Sequence, residues 1–96
     1  MAEVTKDASA ENTFTDWIEK TSPSPIKYAD FSIAGTWTGT ITLQRTFDDG
    51  VTPKDVDTFT GNYEGSFTEW VAGVKYRIGF KTGDYTNGTA VLGIYA

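Results

Sequence analysis

Residues 35–50, Gly-Thr-Trp-Thr-Gly-Thr-Ile-Thr-Leu-Gln-Arg-Thr-Phe-Asp-Asp-Gly, constrain the fold more than any other stretch of the chain. Trp37, Ile41, Leu43 and Phe47 fall on one phase of a two-residue period, while Thr36, Thr38, Thr40, Thr42, Gln44 and Thr46 fall on the other. Successive side chains of a strand point to opposite faces, so this pattern predicts one long half-buried strand. Asp48-Asp49-Gly50 then supplies residues that tolerate positive φ, so the strand is expected to fold back on the segment after it.

The same punctuation recurs downstream. Residues 28–33 read as a strand with Phe31 and Ile33 inward, closed by Ala34-Gly35, and residues 56–60 as a shorter strand ended by Gly61-Asn62. Residues 66–71 make another, and Gly73 gives a turn. Val74, Tyr76, Ile78 and Phe80 then alternate with Lys75, Arg77, Gly79 and Lys81, a second amphipathic strand whose outer face is basic. Residues 83–88 read as a turn cluster before a last strand at 89–95, with Ala90, Leu92 and Ile94 on the core phase. No helix is predicted after residue 25. The fold class is all-β, a small antiparallel β-sandwich or barrel of about 6–8 strands, Ig-like or jelly-roll-like.

Upstream the pattern fades. Residues 1–12 hold only Val4 as a sizeable apolar group, so residues 1–13 read as a polar N-terminal arm, either frayed or ordered on a partner, and residues 14–96 as a single β-sandwich domain. Residues 14–19 read as a first strand or one helical turn, and Ser22-Pro23-Ser24-Pro25 stops either.

Composition narrows the function classes. A length of 96 residues supports one modest core, and three Trp, six Phe and five Tyr can fill it. The net charge of −5 opposes binding to nucleic acid or an anionic membrane, so neither is an expected partner. No window reaches the ~20 apolar residues of a spanning helix, and no apolar stretch near Met1 resembles a signal sequence. The expectation is a protein made and kept in the cytoplasm, or one that leaves it as part of something larger.

Cys and His are both absent, which removes Ser-His-Asp and Cys-His sites, disulfides and thiolate metal centres. Asp48, Asp49, Asp55 and Asp57 are close in sequence, but they lack the spacing of a Ca²⁺ loop and flank a hairpin where Asp is favoured anyway. Asn87-Gly88-Thr89 matches a glycosylation acceptor with no secretory route to use it. No catalytic, cofactor-binding or metal-ligating residue is expected. Trp17, Tyr63, Trp70 and Tyr85 read either as core or subunit interface or as a platform for sugar rings, whereas Trp37 and Tyr76 share the phase of the core. The Thr row from Thr36 to Thr46 reads as a solvated face or as a flat surface for close packing against another subunit.

Residues 35–50 and 73–90 resemble a recurrent pair of segments in small structural proteins of tailed bacteriophages, of the head decoration, cement or tail-accessory type. The specific parts are the Gly35-Thr36-Trp37 opening, Leu43-Gln44-Arg45 followed by Phe47-Asp48, the Tyr76-Arg77 pair, and Lys81-Thr82-Gly83-Asp84-Tyr85. Such proteins often place an aromatic soon after the hairpin glycine, where this sequence has Val51-Thr52-Pro53-Lys54. The resemblance implies a non-enzymatic virion structural protein, a capsid decoration or cement protein that binds the outer head surface and stabilises the shell. It implies the major capsid protein, or tail or collar proteins, as partners, and a homo-oligomer, either trimer or dimer. It carries no catalytic or cofactor residue. The residues outside the core pattern expected to touch a partner are Val4, Phe14, Trp17 and Tyr85. The alternative expectation is a tail- or fibre-associated module that binds carbohydrate on the host surface.

Overall fold

The computed structural model describes residues 3–19, 27–69 and 73–95, and every regular element among them is a strand. Seven strands, β1 Glu3–Ala8, β2 Thr13–Phe14, β3 Ile18–Glu19, β4 Lys27–Thr46, β5 Lys54–Phe59, β6 Tyr63–Glu69 and β7 Lys75–Tyr95, form one antiparallel sheet with free edges. β4 and β7 run for 20 and 21 residues and pair with each other from Asp30↔Tyr95 to Thr46↔Lys75.

That long pair carries two halves. In one, β6 lines the free edge of β4 at Ile33↔Tyr63, and β1 lines β7 at Ala8↔Ala90. In the other, β5 lines β4 at Ile41↔Phe59, and β2 and β3 line β7 at Phe14↔Gly79 and Ile18↔Tyr76. Ring contacts show that the halves fold onto each other. Phe67 lies 4.3 Å from Tyr76, centroid to centroid, and Phe31 lies 5.3 Å from Phe59. Phe67 is paired opposite Ala29 and Tyr76 opposite Arg45, near the two ends of β4. A straight strand would hold those ends ~50 Å apart, further than the 39 Å maximum extent of the molecule. The result is a small β-sandwich whose two layers are joined by strands that turn a corner and pass from one layer to the other.

Glycines make the corner. Register shifts fall on either side of Gly39, and because Phe80 faces Ile41 while Tyr85 faces Gly39, residues 81–84 stand opposite Thr40 alone. Gly39 has φ +145°, with the main-chain oxygen of Asp84 where a Cβ would project, and Gly35 at φ +96° is closed in the same way by Thr89. On the far edge, Asn62 spans the gap between β5 and β6. Its Nδ2 donates to the Gly35 carbonyl at 3.1 Å and its Oδ1 accepts from Trp37 Nε1 at 2.8 Å.

The core is the phase the sequence predicts. Phe31, Ile33, Ile41, Leu43, Tyr76, Ile78, Phe80, Ala90, Leu92 and Ile94 are buried in one cluster, with Trp37 packed edge-on against Phe80.

Four local expectations are corrected. Ala34-Gly35 does not close a strand, and residues 83–88 do not reverse the direction of the backbone: both lie inside continuous strands. Glycines at positive φ serve bulges as well as reversals, and sequence does not distinguish the two uses. Residues 3–8, read as an arm, are paired along 90–95 as β1, with Ala8 fully buried. Main-chain bonding to a preformed edge needs few apolar groups, and the charged side chains of β1 suit an exposed edge strand. The Thr row is divided: Thr36 and Thr38 are exposed, whereas Thr42 and Thr46 are buried within the monomer itself. The break expected at Ser22-Pro23-Ser24-Pro25 and the strand end expected at residue 71 lie outside the described residues.

Candidate binding face

The outer surface of the β5-containing layer gathers the unusual chemistry of the molecule. It starts at the connection from β4 to β5. Thr46 ends β4 with its hydroxyl buried, donating to Asp48 Oδ1 at 2.7 Å and accepting from the Gly50 amide at 2.9 Å. Asp48 Oδ1 also accepts from the Thr52 amide at 2.8 Å. These bonds to its charged form, Thr52 and Thr46 foremost, hold the Asp48 carboxyl down at about 2. Asp49, at φ 60°, and Gly50, at φ 91°, complete the turn. Turn chemistry accounts for Asp48 and Asp49, as the sequence suggests. Among the described residues no group of three or more acidic side chains is placed to hold a metal ion.

This braced turn presents two apolar side chains to solvent. Phe47 is 50% exposed and Val51 is 80% exposed. The Arg45 guanidinium lies over the Phe47 ring at 5.0 Å, and the Trp17 indole packs beneath Gly50. The phase of Phe47 places it with Ile41 and Leu43 in the sequence, but β4 ends at Thr46, so Phe47 leaves the alternation. Its adjacency to Asp48-Asp49-Gly50 is the one sequence signal for that exit.

Behind the turn lies a network that joins two features met separately in the sequence, the aspartate cluster and the basic face of the 74–81 segment. Lys75 pairs with Asp49, and Lys81 pairs with Asp55 at 2.8 Å. Asp55 also accepts from Gln44 Nε2 at 2.9 Å, and Gln44 Oε1 accepts from Arg77 Nε at 2.9 Å. Lys81 and Gln44 together hold the Asp55 carboxyl below the usual carboxylate range, and Asp55 raises Lys81 in turn. Arg77 stacks over Phe14 at 4.0 Å and over Trp17 at 4.5 Å, and its partial burial lowers its pKa through desolvation.

The N-terminal segment reaches this face because Thr15 docks it: its amide donates to Ile78 O at 2.9 Å and its hydroxyl accepts from the Ile78 amide at 3.2 Å. Phe14 and Trp17, two of the four residues expected to touch a partner, are thereby brought together around Arg77. Val4 lies in β1, half-buried against the core. Tyr85 lies in the corner, edge-on to Phe80 at 5.1 Å, with its hydroxyl donating to Gly88 O at 2.8 Å. Tyr63 is 52% exposed and stacks on Phe59 at 5.1 Å, while Trp70 lies outside the described residues.

No protein-family model, curated protein or solved structure matches the sequence or its fold. The functional reading therefore rests on these residues and on the sequence resemblance.

Proposed function

We propose that this protein is a non-enzymatic structural component of a tailed-bacteriophage virion, of the capsid decoration or cement type, and that it docks through the tip of the β4–β5 connection. The observation that carries the docking site is the pairing of exposure with rigidity: Phe47 and Val51 are open to solvent on a turn held by the hydrogen bonds of Thr46 and Asp48. A loop held in one backbone conformation before contact loses little freedom on binding. The sequence resemblance supports the virion setting; its two segments, 35–50 and 73–90, lie mostly on β4 and β7, the pair around which the sandwich is built.

The test is mass spectrometry of purified source virions, with copy number expressed relative to the major capsid protein, for wild type and for Phe47→Ser/Val51→Ser. Near-stoichiometric wild type with a depleted variant supports both statements. Absence of the wild-type protein from the particle removes the virion reading, and an undiminished variant removes the tip. Deleting residues 1–12 is a poor test of partner contact, because it strips β1 from β7. A substitution at Val4 isolates that residue.

A further inference from the structure

We infer that the cavity beside Arg77 is a receptor for a single acidic side chain of a partner protein. The cavity measures about 250 Å³ and is lined by Asn12, Phe14, Gln44, Arg77, Lys81 and Thr82. This wall holds two cations and no carboxylate. Asp55, the nearest acid in the network, is engaged by Lys81 and by Gln44 Nε2, and Glu11 accepts from the Gly83 amide at 2.7 Å. Among the described residues no carboxylate stands at ion-pair distance from Arg77, whose Nε is occupied by neutral Gln44.

Arg77 is thus a partly desolvated cation whose charge is met by aromatic faces and an amide, not by an anion. Guanidinium groups held this way keep a planar fork of N–H donors for in-plane, two-point bonding to a carboxylate. The Phe14 and Trp17 rings confine the guanidinium, and Gln44 anchors its Nε. Lys81, Asn12 and Thr82 add polar groups around the mouth.

The depression is open to solvent and has room for one residue-sized group. The overall charge of −5 gives free anions no long-range attraction, so the site favours a carboxylate delivered by a partner already in contact. This inference rests on the protein-binding part of the reading above but not on the virion, and its test uses the purified protein alone.

The experiment titrates ¹⁵N-labelled protein with acetyl-glutamate methylamide, with acetyl-glutamine methylamide and with inorganic phosphate, following the Arg77 Nε–Hε resonance and Trp fluorescence. The expected result is saturable movement of the Arg77 signal by the glutamate compound, with Kd on the order of millimolar. The neutral glutamine analogue should bind at least about tenfold more weakly. Arg77→Lys keeps the charge but loses the fork, and should weaken glutamate binding by about tenfold or more while the remaining amide spectrum stays folded. No saturable shift with glutamate, equal response to glutamine, or preference for phosphate each overturns the carboxylate receptor.

Discussion

The ring of Phe67 rests 4.3 Å from the ring of Tyr76, although the β4 residues opposite them, Ala29 and Arg45, stand near the two ends of that strand. This contact closes the sandwich at the end away from its glycine corner, so the two layers are held both by bent strands and by aromatic packing between them.

Core phase alone overstates what Phe47 contributes. Phe80→Ala, at a fully buried position, should cost about 3–5 kcal/mol. Phe47→Ala, half exposed, should cost under about 1 kcal/mol. Urea unfolding of both variants measures the difference.

The corner makes its own prediction. Gly35→Ala puts a Cβ 2.5 Å from the Thr89 carbonyl oxygen at φ +96°, whereas Gly73→Ala at φ +82° meets nothing within 4 Å. Both carry the positive-φ penalty of about 1 kcal/mol, but Gly35→Ala must also displace main chain and should be the more destabilising by at least about 1 kcal/mol. Thermal melts of the pair decide it.

Asp48 should give the turn a pH signature. Its folded pKa is lowered, from 3.8 to about 2, so the stability it contributes is present above 3.8 and is lost as pH falls through about 2. Asp48→Asn should therefore be less stable than wild type at neutral pH, and the gap between their urea midpoints should narrow as the medium is acidified across that window. A gap that stays constant with pH would show that the carboxylate is not what braces the turn.

Removing residues 3–8 should expose the 90–95 edge of β7. Ala8 is fully buried, and Glu3 to Ala8 cover that edge in register. The truncated protein should be less stable and should self-associate with rising concentration, because an uncovered edge pairs with other strands. Sedimentation velocity at several concentrations reports this directly.

The sequence carries the strand content and the core phase openly, because alternation of Val74, Tyr76, Ile78 and Phe80 with polar residues is a local signal that the layer contact preserves. It carries the corner poorly. Gly35 and Gly83 look like strand ends and Gly39 like an ordinary strand position, since the same φ freedom serves turn and bulge, and only the long-range pairing of β4 with β7 decides between them. The binding face is half legible: Phe14 and Trp17 stand out by lying outside the core pattern, but their meeting at Arg77 depends on Thr15 docking against Ile78, 63 positions away. Gln44, which links Arg77 to Asp55, reads as one more polar residue on a Thr row.

β7 lies between partners in both layers, with β4 along one side and β1, β2 and β3 along the other. It is also the last of the described strands to be synthesised. On the ribosome, neither layer can assemble around its centre until β7 emerges: the β5-containing layer waits for residues 75–80 and the β6-containing layer for residues 90–95. Strands β5 and β6 can pair with β4 beforehand, whereas β1, β2 and β3 have β7 as their pairing partner and wait for it, so both layers are completed by one step of non-local pairing, which is intrinsically slow.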